Sequence, residues 1–335
     1  MAIELPNISG EWIDKIFSLP PSQFEEMALQ TFAFQYRYNS LYAQYADAVG
    51  RPPKKVTALQ DIPFLPIRFF KTHTIVSGSF EAEAVFESSG TTQTTNSRHF
   101  VKSLDIYRQS FMRAFEQFYG PVAGWCIIGL LPSYLERGNS SLVAMVHELV
   151  KQSGHPQSGF YLYEHEKLVE TLQLLEQQKQ QTMLIGVTFA LLDFAAAHPL
   201  RLQHTVVMET GGMKGRREEW TRQQVHDYLM ERLGVRAIHS EYGMTELLSQ
   251  AYSKGDGIFY CPPWMKIALR ADDDPLEPAT GNGIINVTDL ANIFSCSFIA
   301  TDDAGKLQPG DGFEVTGRTD HSDLRGCSLM VMADL

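Results

Sequence analysis

The spacing of apolar positions opens on helical periods. Phe24, Met27, Ala28, Phe32, Phe34, Tyr38, Leu41, Tyr42 and Tyr45 recur largely at three- and four-residue intervals, which gathers side chains on one helical face. Arg51-Pro52-Pro53 closes this lead-in, over about residues 1–53, because proline cannot continue a helix. Further on, the apolar runs Cys126–Leu131, Met183–Phe189 and Thr205–Met208 read as buried strands, and Arg236–Ser240 as another. Between them, Tyr107, Phe111, Phe115 and Phe118, and then Val225, Tyr228, Leu229 and Leu233, each fall on one face of a helix. Strands alternating with helices predict an α/β fold with a mostly parallel sheet. In such sheets ligands collect beyond the carboxyl ends of the strands. After about residue 255 glycine, proline and acidic residues become dense. Short strands at Gly283–Val287 and Phe298–Ala300 then predict a β-rich subdomain over about 255–316.

Composition narrows the functional classes. The 335 residues are 44% hydrophobic and 20% charged, enough apolar material for a real core. The net charge of −11 argues against nucleic-acid binding, which needs clustered positive charge to displace counterions. Met1–Lys15 has neither a basic start nor an apolar stretch, so no secretory signal is read there. The longest apolar stretch, around Val122–Leu131, falls short of the roughly 20 residues of a membrane span. Cys126, Cys261, Cys296 and Cys327 show no CxxC pairing. Reduced thiols in a cytoplasmic protein are the expectation.

Two segments carry candidate chemistry. Residues 87–98 read Glu-Ser-Ser-Gly-Thr-Thr-Gln-Thr-Thr-Asn-Ser-Arg. A loop of N–H and O–H donors around Gly90 can wrap a polyphosphate, and Arg98 or Lys102 can add positive charge. The spacing is not that of a Walker loop, and a solvated Ser/Thr linker has the same composition. Residues 241–246 read Glu-Tyr-Gly-Met-Thr-Glu. Tyr242 can stack on a base, Gly243 permits close approach, Thr245 can bind a phosphate oxygen, and Glu246 can hold Mg²⁺. A strand-to-helix turn in which Thr245 or Glu246 caps the helix fits the same letters.

Together these segments resemble adenylate-forming enzymes. Ser88-Ser89-Gly90-Thr91-Thr92 resembles their phosphate motif and Tyr242-Gly243-Met244-Thr245-Glu246 their Tyr-Gly-x-Thr-Glu motif, in the same order. Gly281–Val287, Thr301-Asp302-Asp303-Ala304-Gly305 and Gly317-Arg318-Thr319-Asp320 resemble three later motifs. The resemblance implies ATP and Mg²⁺ as cofactors. It places Gly211-Gly212 and Tyr242 around adenine, Asp303 and Arg318 on the ribose, and Glu246 on the metal. It also implies an adenylate-forming core over 1–316, a hinge and short remnant over 317–335, and a C-terminal domain largely absent.

Within that superfamily the chain is most similar to LuxE-type acyl-protein synthetases, and more distantly to phenylacetate-CoA ligases. Ser97-Arg98-His99 stands where most relatives have Gly-x-Pro-Lys, and Asp61–Pro66 leads to Phe70-Lys71 as in both. The likeness implies activation of a carboxylic acid, specifically a fatty acid, followed by transfer to a protein thiol. Cys327 is then the acyl-carrying nucleophile, and a partner protein or acyl carrier is the acceptor. A lysine of the absent domain must be replaced by Arg98, Lys102, Lys214 or Arg318; Arg98 is the catalytic candidate. Two other readings stay open: a ligase loading CoA or acyl-carrier protein, and a non-catalytic adenylate- or acyl-binding scaffold.

Overall fold

The computed structural model describes residues 10–88, 96–131, 139–211 and 220–319. The chain begins with helices α1 (Gly10–Phe17), α2 (Phe24–Tyr38) and α3 (Ser40–Ala48). Strand β1 (Leu65–Pro66), helix α4 (Phe69–Thr72), strands β2 (Ala84–Glu87) and β3 (Arg98–Val101), and helix α5 (Leu104–Tyr119) follow. Strand and helix then alternate through β4 (Cys126–Leu130), α6 (Ser141–Ser153), β5 (Gly159–Phe160), α7 (His165–Gln177), β6 (Thr182–Val187), α8 (Thr188–Ala197), β7 (Thr205–Thr210), α9 (Arg222–Leu233) and β8 (Ile238–Tyr242). The last third is β9 (Ala251–Ser253), β10 (Met265–Arg270), β11 (Asn282–Asp289), β12 (Phe298–Gln308) and β13 (Gly312–Arg318).

These elements form two compact units, each assembled from separate stretches of chain. The first comprises Met1–Ala114, Met244–Gln250 and Cys261–Thr316; the second comprises Phe115–Gly243, Ala251–Tyr260 and Gly317–Leu335.

In the second unit, six strands run in the order β5-β4-β6-β7-β8-β9. All neighbours are parallel except β8 and β9. Every residue of β4 and β6 is buried, as helices on both faces of a parallel sheet require. Helix α9 starts at a capping box: Thr221 accepts from the Gln224 N–H, and the Gln224 side chain accepts from the Thr221 N–H. It ends at Gly234, whose φ of 66° is a left-handed conformation that glycine adopts without strain. The apolar run 183–189 is not one strand. The strand ends at Val187, and Thr188 and Phe189 begin α8.

In the first unit, β10, β11 and β12 are antiparallel neighbours and β1 joins β12 in parallel. Strand β13 also pairs β12. The Tyr42 ring stacks on Phe298 at 6.1 Å, and its hydroxyl donates to the Pro63 carbonyl at 2.7 Å. Between β11 and β12 the chain runs through Leu290–Ser297, all of it buried. Buried backbone outside a ladder must find other partners, and α2 and the Asn39 that follows it supply them. Gln35 Nε2 donates to the Ile293 and Asn292 carbonyls (2.9 and 3.2 Å), and its Oε1 accepts from the Ser297 N–H at 2.9 Å. Asn39 Nδ2 donates to the Ser295 carbonyl at 3.0 Å. Cys296 lies in this connection, not in a strand.

Replacing Gln35 with Leu takes the partner from the buried Ile293 carbonyl and from the Ser297 N–H, while the Asn292 carbonyl keeps the Ser295 N–H at 3.1 Å. At about 1–3 kcal/mol for each unsatisfied group, the unfolding free energy is expected to fall by about 2 kcal/mol or more in urea titrations. A loss within 0.5 kcal/mol of zero would show that the connection holds itself.

Candidate nucleotide site

Of the residues singled out from the sequence, Ser89, Gly90, Thr91, Thr92, Gly212, Lys214, Asp320 and Cys327 lie outside the described residues. The others divide between the two units.

In the first unit, Ser88 and Ser97 close the paired ends of β2 and β3. Ser88 N–H donates to the Ser97 carbonyl at 3.1 Å, and Ser97 N–H donates to Ser88 Oγ at 2.9 Å. Both serines are buried. Arg98 is exposed and its guanidinium lies 5.7 Å from the Phe100 ring. Lys102 is half-buried with its ammonium 3.9 Å from the Phe294 ring, and burial lowers its pKa. Asp303 is buried in β12, where its N–H donates to Thr301 Oγ1.

No helix follows β8. Residues 243–250 form an irregular turn leading to β9, so neither Thr245 nor Glu246 caps a helix. A turn without a ladder takes its shape from side chains, and three buried ones hold this one. His99, on β3, has Nδ1 2.8 Å from the Thr245 carbonyl oxygen. Asn292 Nδ2 donates to the Glu246 carbonyl at 2.8 Å and to that of Cys296 at 2.9 Å, while its Oδ1 lies 3.0 Å from His99 Nε2. Asp289 Oδ2 accepts the Leu248 and Ser249 N–H groups at 2.8 and 2.9 Å, and Oδ1 accepts the Ser249 hydroxyl at 2.6 Å. The structure therefore joins the Ser88–Ser97 closure and the Thr245–Glu246 turn through His99. Glu246 itself is only 6% exposed.

In the second unit, parallel register pairs Thr210 with Glu241, so Gly211 and Tyr242 follow one another at adjacent carboxyl ends. Gly211 has φ 66° and its carbonyl accepts the Thr188 hydroxyl at 2.7 Å. Tyr242 is buried, with its ring 5.9 Å from that of Phe259. Gly243 is exposed, and Arg318 ends β13 half-buried.

Beside Tyr242 and Gly211 lies a buried polar group that apolar periodicity does not reveal. Glu209 accepts the Ser240 hydroxyl at 2.7 Å and the Thr188 hydroxyl at 2.9 Å; His226 Nε2 stands 3.7 Å and Arg222 Nε 4.0 Å away. Burial opposes its charge, but His226, Arg222 and Ser240 outweigh that and keep its carboxyl below the usual range. Burial, reinforced by the Glu209 charge, pushes Glu241 up to about 7 against a hydrogen bond from Thr210. The one sequence signal was a glutamate next to the last residue of each of two strand segments.

The architecture is mixed α/β with parallel and antiparallel sheets flanked by helices. It is the fold of the large N-terminal domain of adenylate-forming enzymes. Among solved structures, the chain is similar to 2-hydroxyisobutyryl-CoA ligase in complex with R3-HIB-AMP, at TM-score 0.63 and 13% identity over 97% of this chain and 71% of that one. It is also similar to apo MatB from Rhodopseudomonas palustris, at TM-score 0.52 and 15% identity over 74% of this chain. It resembles McyG A-PCP complexed with phenylalanyl-adenylate, at TM-score 0.51 and 13% identity over 71% of this chain. The chain covers about half of the latter two, 50% and 47%. No curated protein matches the sequence. The family described as acyl-protein synthetase, LuxE, matches residues 21–335. The chain belongs to that family.

Among the described residues, no helix is long and apolar enough to cross a membrane. Nor do three or more His, Cys, Asp or Glu side chains gather to hold a metal by themselves. Glu246 is a buried carboxylate, and Mg²⁺ takes one or two carboxylates together with substrate phosphates.

Burial pushes His99 down to about 4, against the opposing pull of Thr245 and Asn292. In the unfolded chain the ring titrates near 6.5, so below that pH the unfolded state binds the extra proton. Stability is thus expected to fall as pH drops from 6.5 towards 4, by up to about 3 kcal/mol from this group. Urea unfolding of the wild type and His99→Gln across this window checks it. The difference between the two should shrink as the pH falls, and parallel curves would remove His99 as the cause.

Proposed function

We propose that this protein uses ATP to convert a carboxylic acid, specifically a fatty acid, into an acyl-adenylate and then passes the acyl group to a protein thiol. The observation that carries the reading is the joining of the Ser88–Ser97 closure to the Thr245–Glu246 turn through His99 and Asn292, in a chain of the LuxE family. An acid-activating site needs phosphate-binding hydroxyls and a metal-binding carboxylate held at fixed separation, since adenylyl transfer rests on positioning and electrostatics.

In the first step a carboxylate oxygen of the acid attacks the α-phosphorus of ATP. The new bond is the mixed anhydride, and the bond to pyrophosphate breaks. Ser88, Ser89, Gly90, Thr91 and Thr92 take the phosphates with Thr245, and Arg98 supplies positive charge. Tyr242 with Gly211 and Gly212 frames the adenine, and Asp303 and Arg318 hold the ribose. Glu246 holds Mg²⁺, which when bound neutralises phosphate charge. In the second step the Cys327 thiolate attacks the acyl carbonyl carbon, AMP leaves, and a thioester remains for a partner protein or acyl carrier. A free thiolate suits a reducing, cytoplasmic setting.

Incubation with ATP, Mg²⁺ and acids of graded chain length is expected to release pyrophosphate in an acid-dependent way. Silence at every length would overturn the activation step. Glu246→Gln should lower the rate by about a hundredfold. Cys327→Ser should keep pyrophosphate release but lose protein labelling by radioactive acid. Labelling undiminished in that variant removes Cys327, and acyl-CoA formed from added CoA without protein labelling favours a CoA ligase.

A further inference from the structure

The sequence reading gave His99 no role beyond its place in the Ser97-Arg98-His99 departure from relatives. Its surroundings give it one. The ring is 1% exposed and lies edge-on to Phe70 at 5.9 Å. Its backbone sits on β3 opposite Phe86, two residues beyond the serine that closes the β2–β3 pair. Its two nitrogens meet two groups of one small assembly: the Thr245 carbonyl, 146 residues away in sequence, and Asn292, 193 residues away. Asn292 in turn grips the Glu246 carbonyl. A neutral ring carries one N–H, so the Nδ1–H bond ties the Thr245 backbone directly to the strand that ends the hydroxyl-rich segment, while Asn292 holds the Glu246 carbonyl beside it.

Asp289 holds the far side of the same turn at Leu248 and Ser249, so packing alone does not require a second clamp. The His99 link adds a fixed separation between strand β3 and the carbonyls of the two residues assigned to phosphate and metal. Its direct bond is to Thr245, and loss of that bond frees the Thr245 end of the turn to shift relative to β3 while Asp289 still holds the other end at Leu248 and Ser249. We infer that His99 is a positioning residue that sets the distance between the phosphate-binding strand pair and the Thr245–Glu246 turn, through its Nδ1–H bond to the Thr245 carbonyl. This rests on the reading that Thr245 and Glu246 handle the nucleotide.

Two half-replacements separate the positioning role from a structural one. Asparagine at 99 can keep a donor where Nδ1 stands, whereas glutamine can keep one only where Nε2 stands. Calorimetric titration with Mg²⁺·ATP, without acid, is expected to give a dissociation constant about tenfold weaker in His99→Gln and within about threefold of wild type in His99→Asn, the scale of one lost hydrogen bond. The KM for the acid should stay within about twofold in both. Amide hydrogen exchange over residues 242–250 should be faster in His99→Gln than in His99→Asn. Equal weakening in both variants, or an acid KM rising in step with the ATP constant, would overturn the inference. Wild-type protein that binds Mg²⁺·ATP but releases no pyrophosphate with any acid sinks the proposed activity and leaves the binding comparison intact. Wild-type protein that does not bind Mg²⁺·ATP sinks the premise, and equal exchange in the two variants then sinks the link as well.

Discussion

Burial of an irregular, polar stretch of backbone is the constraint on which the first unit depends. Leu290–Ser297 passes through the interior without a ladder of its own. Its carbonyls and amides are claimed by Gln35 from α2, by Asn39 between α2 and α3, and by Ser77, whose hydroxyl donates to the Ser295 carbonyl at 2.8 Å. Once fixed, the connection and the Asp289 before it turn their own side chains outward to a second irregular stretch, residues 245–249. Each layer of polar groups satisfies the next, and an unmade bond anywhere in it would leave a buried group costing about 1–3 kcal/mol.

The second unit reaches its candidate residues by a different route. Parallel strands with covering helices fix the register of β7 against β8, and that register sets Gly211 beside Tyr242, with the Thr188 hydroxyl on the Gly211 carbonyl. The polar group behind them, Glu209 with Ser240, Thr188, His226 and Arg222, is internally paired. One unit thus places its motif by buried polar contacts and the other by sheet geometry.

Much of this frame was legible in the sequence. Cys126–Leu131 and Thr205–Met208 announced strands because a fully buried strand is apolar throughout, and the aromatic spacing of 107–118 announced α5. The boundary at Thr188 was not legible. Helix α8 is apolar on nearly every side, so its period is hidden in the run that includes β6. Thr245 and Glu246 were recognised from a short motif, but the absence of a following helix was not, since a Thr-Glu pair suits a cap equally well. His99, Asn292 and Asp289 escaped notice because their partners lie far along the chain. A buried polar residue has no local signature; only the fold says what it meets.

The first unit is assembled from three separated stretches of chain, and Gln35 pairs with residues 257 to 262 positions later. During synthesis, helices α1 to α3 leave the ribosome long before the strands that cover them exist. Closing so large a loop is entropically slow, and until then the aromatic face of α2 stays open to water and to other chains. A chain with contacts this distant keeps the apolar faces of its N-terminal helices uncovered until its last third has been made.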